Sequence, residues 1–107
     1  MKVYNKLVRT KIPQIIQNEG KTVYSCTLDG VNYQKMLKTK LVEEAREFLK
    51  AKTKEEMVND LADIREVLDT IYEVFDIQEI DVDLAKHKKA QEKGDFKSGT
   101  YLVCVEE

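Results

Sequence analysis

From about Val31 to Phe75 the apolar residues recur at three- and four-residue spacing, and the pattern breaks at one place, Lys52. Met36, Leu37, Leu41, Ala45 and Phe48 form one stripe. Met57, Leu61, Ile64, Leu68, Ile71 and Phe75 form the next. Such spacing belongs to amphipathic helices and not to strands. The restart is marked by Thr53-Lys54-Glu55-Glu56, a capping box in which a threonine hydroxyl and a glutamate three residues on satisfy backbone N–H groups at a helix start. Two helices separated by so short a joint must fold back on one another, so the sequence predicts an antiparallel helix hairpin.

The flanking segments are shorter. Pro13 suits the first turn of a brief helix and Gly20 its end. Lys21 to Leu28, rich in β-branched and aromatic residues, predicts a short strand, closed by the turn residues Asp29-Gly30. A third long helix is predicted from about Asp81 to Lys93, stopped by Gly94, and Thr100 to Val105 predicts a second strand able to pair with the first. The expected fold class is therefore all-α: a helical bundle, built from the hairpin plus a third helix, with a minor two-stranded β element. With only 4 Gly and 1 Pro the chain lacks the turn residues that an all-β sandwich or barrel needs. Its 107 residues predict a single domain, 1–107. No apolar run reaches the ~18 residues of a membrane span, and the start lacks the apolar core of a signal peptide. Cys26 and Cys104 make neither a disulfide framework nor a four-ligand zinc site, and are expected as small buried hydrophobes in a reducing cytoplasm.

Charged side chains on helices normally face water, so those that do not are informative. With an advance of about 100° per residue, Glu44 falls about 60° from Leu41 and about 40° from Phe48, on the edge of the apolar band. Glu47 flanks the same side, whereas Glu43 points well away. On the second helix a weaker stripe carries Val67 and Val74, and Asp60 and Asp63 continue it. Two stripes on one helix imply two packing neighbours. Reflection about the joint sets Glu47 level with Asp60 and Glu44 level with Asp63, about one turn apart at ~1.5 Å of rise per residue. Four carboxylates at two levels are what hard divalent cations take, and Mg²⁺ fills the rest of its shell with water and phosphate oxygens. The absence of nearby Cys or His argues against zinc or a di-iron site. The same spacing also occurs on solvated helix faces paired with basic neighbours such as Arg46 or Lys50.

The run Leu41-Val42-Glu43-Glu44-Ala45-Arg46-Glu47, followed by Asp60-Leu61-Ala62-Asp63, resembles the E-E-x-x-E … E-x-x-D signature of MazG-like nucleotide pyrophosphohydrolases. This all-α superfamily includes phosphoribosyl-ATP pyrophosphohydrolases and dimeric dUTPases. The opening Tyr4-Asn5-Lys6-Leu7-Val8-Arg9-Thr10-Lys11-Ile12-Pro13 is similar to the Y-N-K-L-V-R-D-K-I-P of a short single-domain branch, and Lys89 … Lys93-Gly94-Asp95-Phe96 to that branch's K-x-x-x-R-G-x-F ending. Asp60 stands where the family usually has Glu, one methylene longer, and Thr10 where the opening usually has Asp. The resemblance implies hydrolysis of a nucleoside triphosphate to monophosphate and pyrophosphate, in a house-cleaning role against non-canonical nucleotides. It implies Mg²⁺, with Mn²⁺ as a substitute, on Glu44, Glu47, Asp60 and Asp63, one of which accepts a proton from the attacking water. Glu43 is either a support for that set or a solvated residue. Two further readings stay open: a non-catalytic helical dimerisation or binding module, and binding or hydrolysis of a signalling nucleotide.

A triphosphate also needs protein cations. Candidates are Lys6, Arg9 and Lys11 from the opening, Lys40 one turn before Glu44, and Lys89 and Lys93 from the third helix. Lys86-His87-Lys88-Lys89 is too small a patch, in a chain of pI 5.5, to read as a nucleic-acid site. The net charge of −2 conceals an uneven distribution. Residues 1 to 42 carry 8 basic and 2 acidic side chains, and residues 43 to 83 carry 5 basic and 14 acidic. An acidic hairpin with basic flanks fits a metal–nucleotide complex. Because a hairpin with two apolar faces cannot cover both, a homo-oligomer, dimer or tetramer, is expected.

Overall fold

The computed structural model describes Met1–Glu106. Its helices are α1 (Ile12–Asn18), α2 (Gly30–Lys50), α3 (Lys54–Val74) and α4 (Glu79–Lys93), and among the described residues there is no strand. The fold is all-α. Two compact units divide the chain, the first over Met1–Asp76 and the second beginning at Ile77.

In the first unit, α2 and α3 pack as the hairpin that the Lys52 joint predicts. Ala51 and Thr53 are extended and carry the reversal. The Thr53 Oγ1 accepts a hydrogen bond from the Glu56 backbone N–H at 3.1 Å, half of a capping box. The other half is displaced by one residue: Glu56 Oε2 accepts from the N–H of Lys52, at 2.9 Å, in place of that of Thr53. The glutamate therefore ties the joint itself to the helix start. At the far end, α3 stops where Asp76 adopts φ +53, a left-handed conformation that Asp tolerates better than most residues.

Burial is thin. Among the described residues, the buried apolar side chains are Leu37 on α2, 4% exposed, and Val67 on α3, 9% exposed. Around them Leu41, Phe48, Ile64, Leu68 and Ile71 are half-buried. Both stripes of α3 contribute to the packing, and Ile64, Leu68, Ile71 and Phe75 of the first are half-buried. The one richer in apolar residues leaves Met57 and Leu61 exposed, while the stripe bearing Asp60, Asp63, Val67 and Val74 is half-buried or buried. Ala45, assigned to the α2 stripe, is also exposed.

The expected β element is absent from the described residues. Lys21 to Leu28 belongs to the first unit and Thr100 to Val105 to the second, and both run as irregular chain. β-propensity reflects fit to a pleated, half-buried surface, and a lone two-stranded ribbon is marginal in water. With no sheet to bury them, Cys26 and Cys104 are exposed free thiols, not buried hydrophobes. In the second unit α4 runs to Gly94, whose φ of +83 a glycine adopts without strain. It buries no residue fully, and Ile80 and Leu84 are exposed.

Candidate functional site

The carboxylates singled out by spacing lie on the α2–α3 hairpin. Glu44 is the most enclosed of those in ion pairs: its side chain is 14% exposed and its Oε1 lies 3.4 Å from Lys40 Nζ. Lys40, itself 20% exposed, donates a hydrogen bond of 3.2 Å to Glu43 Oε2 as well. Glu43 therefore does not point away into solvent as the helical angle predicts. The lysine reaches back along α2 and draws both adjacent carboxylates toward it, a pull that periodicity does not contain. Glu47 is exposed and pairs with Lys50 at 3.5 Å.

On α3, Asp63 receives a cation from the far end of the unit. Arg9 Nη2 donates to Asp63 Oδ1 at 2.7 Å, and Nη1 stands 3.5 Å from Glu66 Oε1. The guanidinium thus spans two carboxylates one turn apart on α3. It is raised still further from its already high range: the hydrogen bond to Asp63 dominates, partial desolvation opposes it, and the charges of Asp63, Glu66 and Glu44 add to it. Glu44 and Asp63, level by the reflection argument, have different contact cations, Lys40 and Arg9, and the pull of Glu44 on the guanidinium is the smallest of those acting on it. The second level is also visible: Glu47 and Asp60 line one open groove at the joint end of the hairpin, with Lys50, Ala51, Glu56 and Asn59.

The other basic candidates are not on these carboxylates. Lys6, with Lys2, lies over the Tyr4 ring, at 5.8 and 5.1 Å from its centroid. Lys11 is the exposed residue before α1. Lys89 and Lys93 lie on α4, in the second unit. Glu66 escaped the sequence reading, although it extends the three-residue spacing of Asp60 and Asp63 by one more step. Arg9 was legible as a cation, but its carboxylate partners 54 residues or more away were not.

As a donor set, Glu44, Glu47, Asp60 and Asp63 offer oxygen alone, the chemistry that suits Mg²⁺ or Mn²⁺. Among the described residues no three Asp, Glu, His or Cys side chains gather into a ready-made cage. Lys40, Lys50 and Arg9 hold three of the four carboxylates to separate partners. Mg²⁺ characteristically takes one or two carboxylates together with water and phosphate oxygens, so these residues fit an ion that arrives with its phosphates. Comparisons with protein-family models, with curated proteins and with solved structures return no match for this chain.

Proposed function

We propose that this chain is a Mg²⁺-dependent nucleoside triphosphate pyrophosphohydrolase, which uses water to split the α–β phosphoanhydride and releases nucleoside monophosphate and pyrophosphate. The observation that carries the reading is the gathering on one helix hairpin of Glu44, enclosed on α2 beside Lys40, of Asp63, held on α3 by Arg9, and of Glu47 and Asp60, lining one groove. The motif resemblance across the opening, hairpin and C-terminal segments supports it. Glu44, Glu47, Asp60 and Asp63 are the residues to hold Mg²⁺ or Mn²⁺. When bound, the ion neutralises phosphate charge and lowers the pKa of the attacking water. One carboxylate of the set accepts that water's proton. Arg9, Lys6 and Lys11 supply phosphate contacts from the opening segment, with Lys40 as a further cation; for Lys89 and Lys93 the support is the motif resemblance alone. The substrate is a non-canonical nucleotide in a house-cleaning role, and the setting a reducing cytoplasm, which suits the free thiols Cys26 and Cys104. No helix is long and apolar enough to cross a membrane among the described residues.

The functional particle in this reading is a homo-oligomer, a dimer or tetramer. Met57 and Leu61 are exposed on α3, and a helix of a second copy would cover them.

One observation favours a different reading, a non-catalytic helical binding module. Glu44, Glu47 and Asp63 already have a protein cation each, as a purely structural charge network would. A panel of nucleoside triphosphates, incubated with the purified chain and Mg²⁺ or a chelator, separates the two. Metal-dependent pyrophosphate from at least one nucleotide is the expected result; none from any of them supports the binding module.

A further inference from the structure

We propose that Arg9 is a built-in competitor for the divalent cation at Asp63, displaced when the ion binds and thereby freed to grip the phosphates. This rests on the metal-dependent reading above and concerns how the site is regulated. The guanidinium sits 2.7 Å from Asp63 and 3.5 Å from Glu66, and Glu44 adds to the field it occupies. Arg9 is therefore the resident cation of Asp63, one of the carboxylates that the ion would take. An ion on Asp63 would stand within about 5 Å of a positive guanidinium, and the two like charges repel, screened by the solvent around these exposed side chains. The ion and the guanidinium therefore compete for Asp63 at the strength of an exposed ion pair.

The structure also lets Arg9 leave cheaply. Its backbone carbonyl accepts from Ile12 N–H at 3.0 Å, anchoring it to the start of α1, while the side chain is 56% exposed. The guanidinium can swing away without disturbing the helix. Once free, its planar fork is the group best shaped to bind phosphate oxygens in pairs. Metal binding at Asp63 and phosphate binding by Arg9 then reinforce each other, and by linkage each tightens the other.

The test is direct titration of the full chain with Mn²⁺, free ion being counted by electron paramagnetic resonance, with and without a non-hydrolysable nucleoside triphosphate analogue. An exposed ion pair favours its closed over its open form by roughly 1.5- to 5-fold, so its removal should tighten Mn²⁺ binding by about two- to sixfold. Arg9→Gln should show that gain without nucleotide and lose it, or bind more weakly than the wild type, with the analogue present. Arg65→Gln removes the same charge from an exposed position on α3 two residues from Asp63, and should leave Mn²⁺ affinity nearly unchanged. Arg9→Lys, which keeps the charge but not the fork, should fall between Arg9→Gln and the wild type without nucleotide. Equal or weaker Mn²⁺ binding by Arg9→Gln overturns the competition. An equal gain in Arg65→Gln overturns it too, since any nearby positive charge would then serve. If the wild type and Arg9→Gln both fail to bind Mn²⁺, the competition and the metal-dependent reading fall together. If Arg9→Gln gains affinity as expected but no nucleotide yields pyrophosphate, the competition stands and the hydrolase reading fails.

Discussion

Glu44→Gln separates catalysis from folding more cleanly than any other single change. The substitution keeps the shape of the side chain and its capacity to accept a hydrogen bond, but removes one negative charge. In the fold, Glu44 shares Lys40 with Glu43, at 3.4 and 3.2 Å. Losing Glu44's charge therefore leaves Lys40 with a partner. The pair lies within one helix and is largely covered, its side chains 14% and 20% exposed, so the lost attraction is about 1 kcal/mol, more than an exposed pair is worth, and relief of repulsion between Glu44 and its acidic neighbours offsets it. Stability should stay within about 1 kcal/mol of wild type, a shift in melting temperature of no more than about 8 °C for a domain of this size. Activity should behave differently. Changes even in the partners of metal ligands cost about 10- to 100-fold, so loss of a ligand's charge should lower kcat/KM by at least about 100-fold, near 2.7 kcal/mol of transition-state stabilisation. Thermal unfolding by circular dichroism and pyrophosphate release on the same preparations give both numbers. A fully active Glu44→Gln enzyme refutes the site assignment. A variant that loses activity by unfolding refutes the claim that Glu44 serves chemistry and not packing.

Thr53→Ala removes the hydroxyl that accepts the Glu56 N–H, and should destabilise the first unit by about 1 kcal/mol, measured by urea unfolding. Arg9 gives a prediction about pH. Its folded pKa is raised, so its pairing with Asp63 is complete below its ordinary range and is lost only as pH rises through the folded value. The pair therefore contributes no slope to stability between pH 6 and 9, and a melting-temperature slope in that window that vanishes in Arg9→Gln would contradict it. Leu61→Lys places a charge on the exposed apolar face of α3 and should shift sedimentation from an oligomer toward the monomer; wild-type chain that sediments as a monomer removes the basis for an assembly.

The hairpin was legible because its signals are local. Apolar spacing gave α2 and α3, and Thr53 with Glu56 gave the restart, so both helices fall within a residue or two of their expected bounds. Gly94 marked the end of α4 in the same way. The strands failed because β structure needs a partner edge, and nothing in Lys21–Leu28 or Thr100–Val105 encodes one. At the site, the inward turn of Glu44 followed from its helical angle, and the levels of Glu47 and Asp60 from reflection about the joint. What spacing could not supply was the cations. Lys40 gathers Glu43 with Glu44, and Arg9 crosses the unit to Asp63, through side-chain reach that no periodicity records.

The most direct measurement is product identity by ³¹P NMR, on any nucleoside triphosphate that the chain consumes in the presence of Mg²⁺. Equal amounts of nucleoside monophosphate and pyrophosphate, no orthophosphate, and no turnover once the metal is chelated are the expected result. Nucleoside diphosphate with orthophosphate, or turnover that survives chelation, would contradict it.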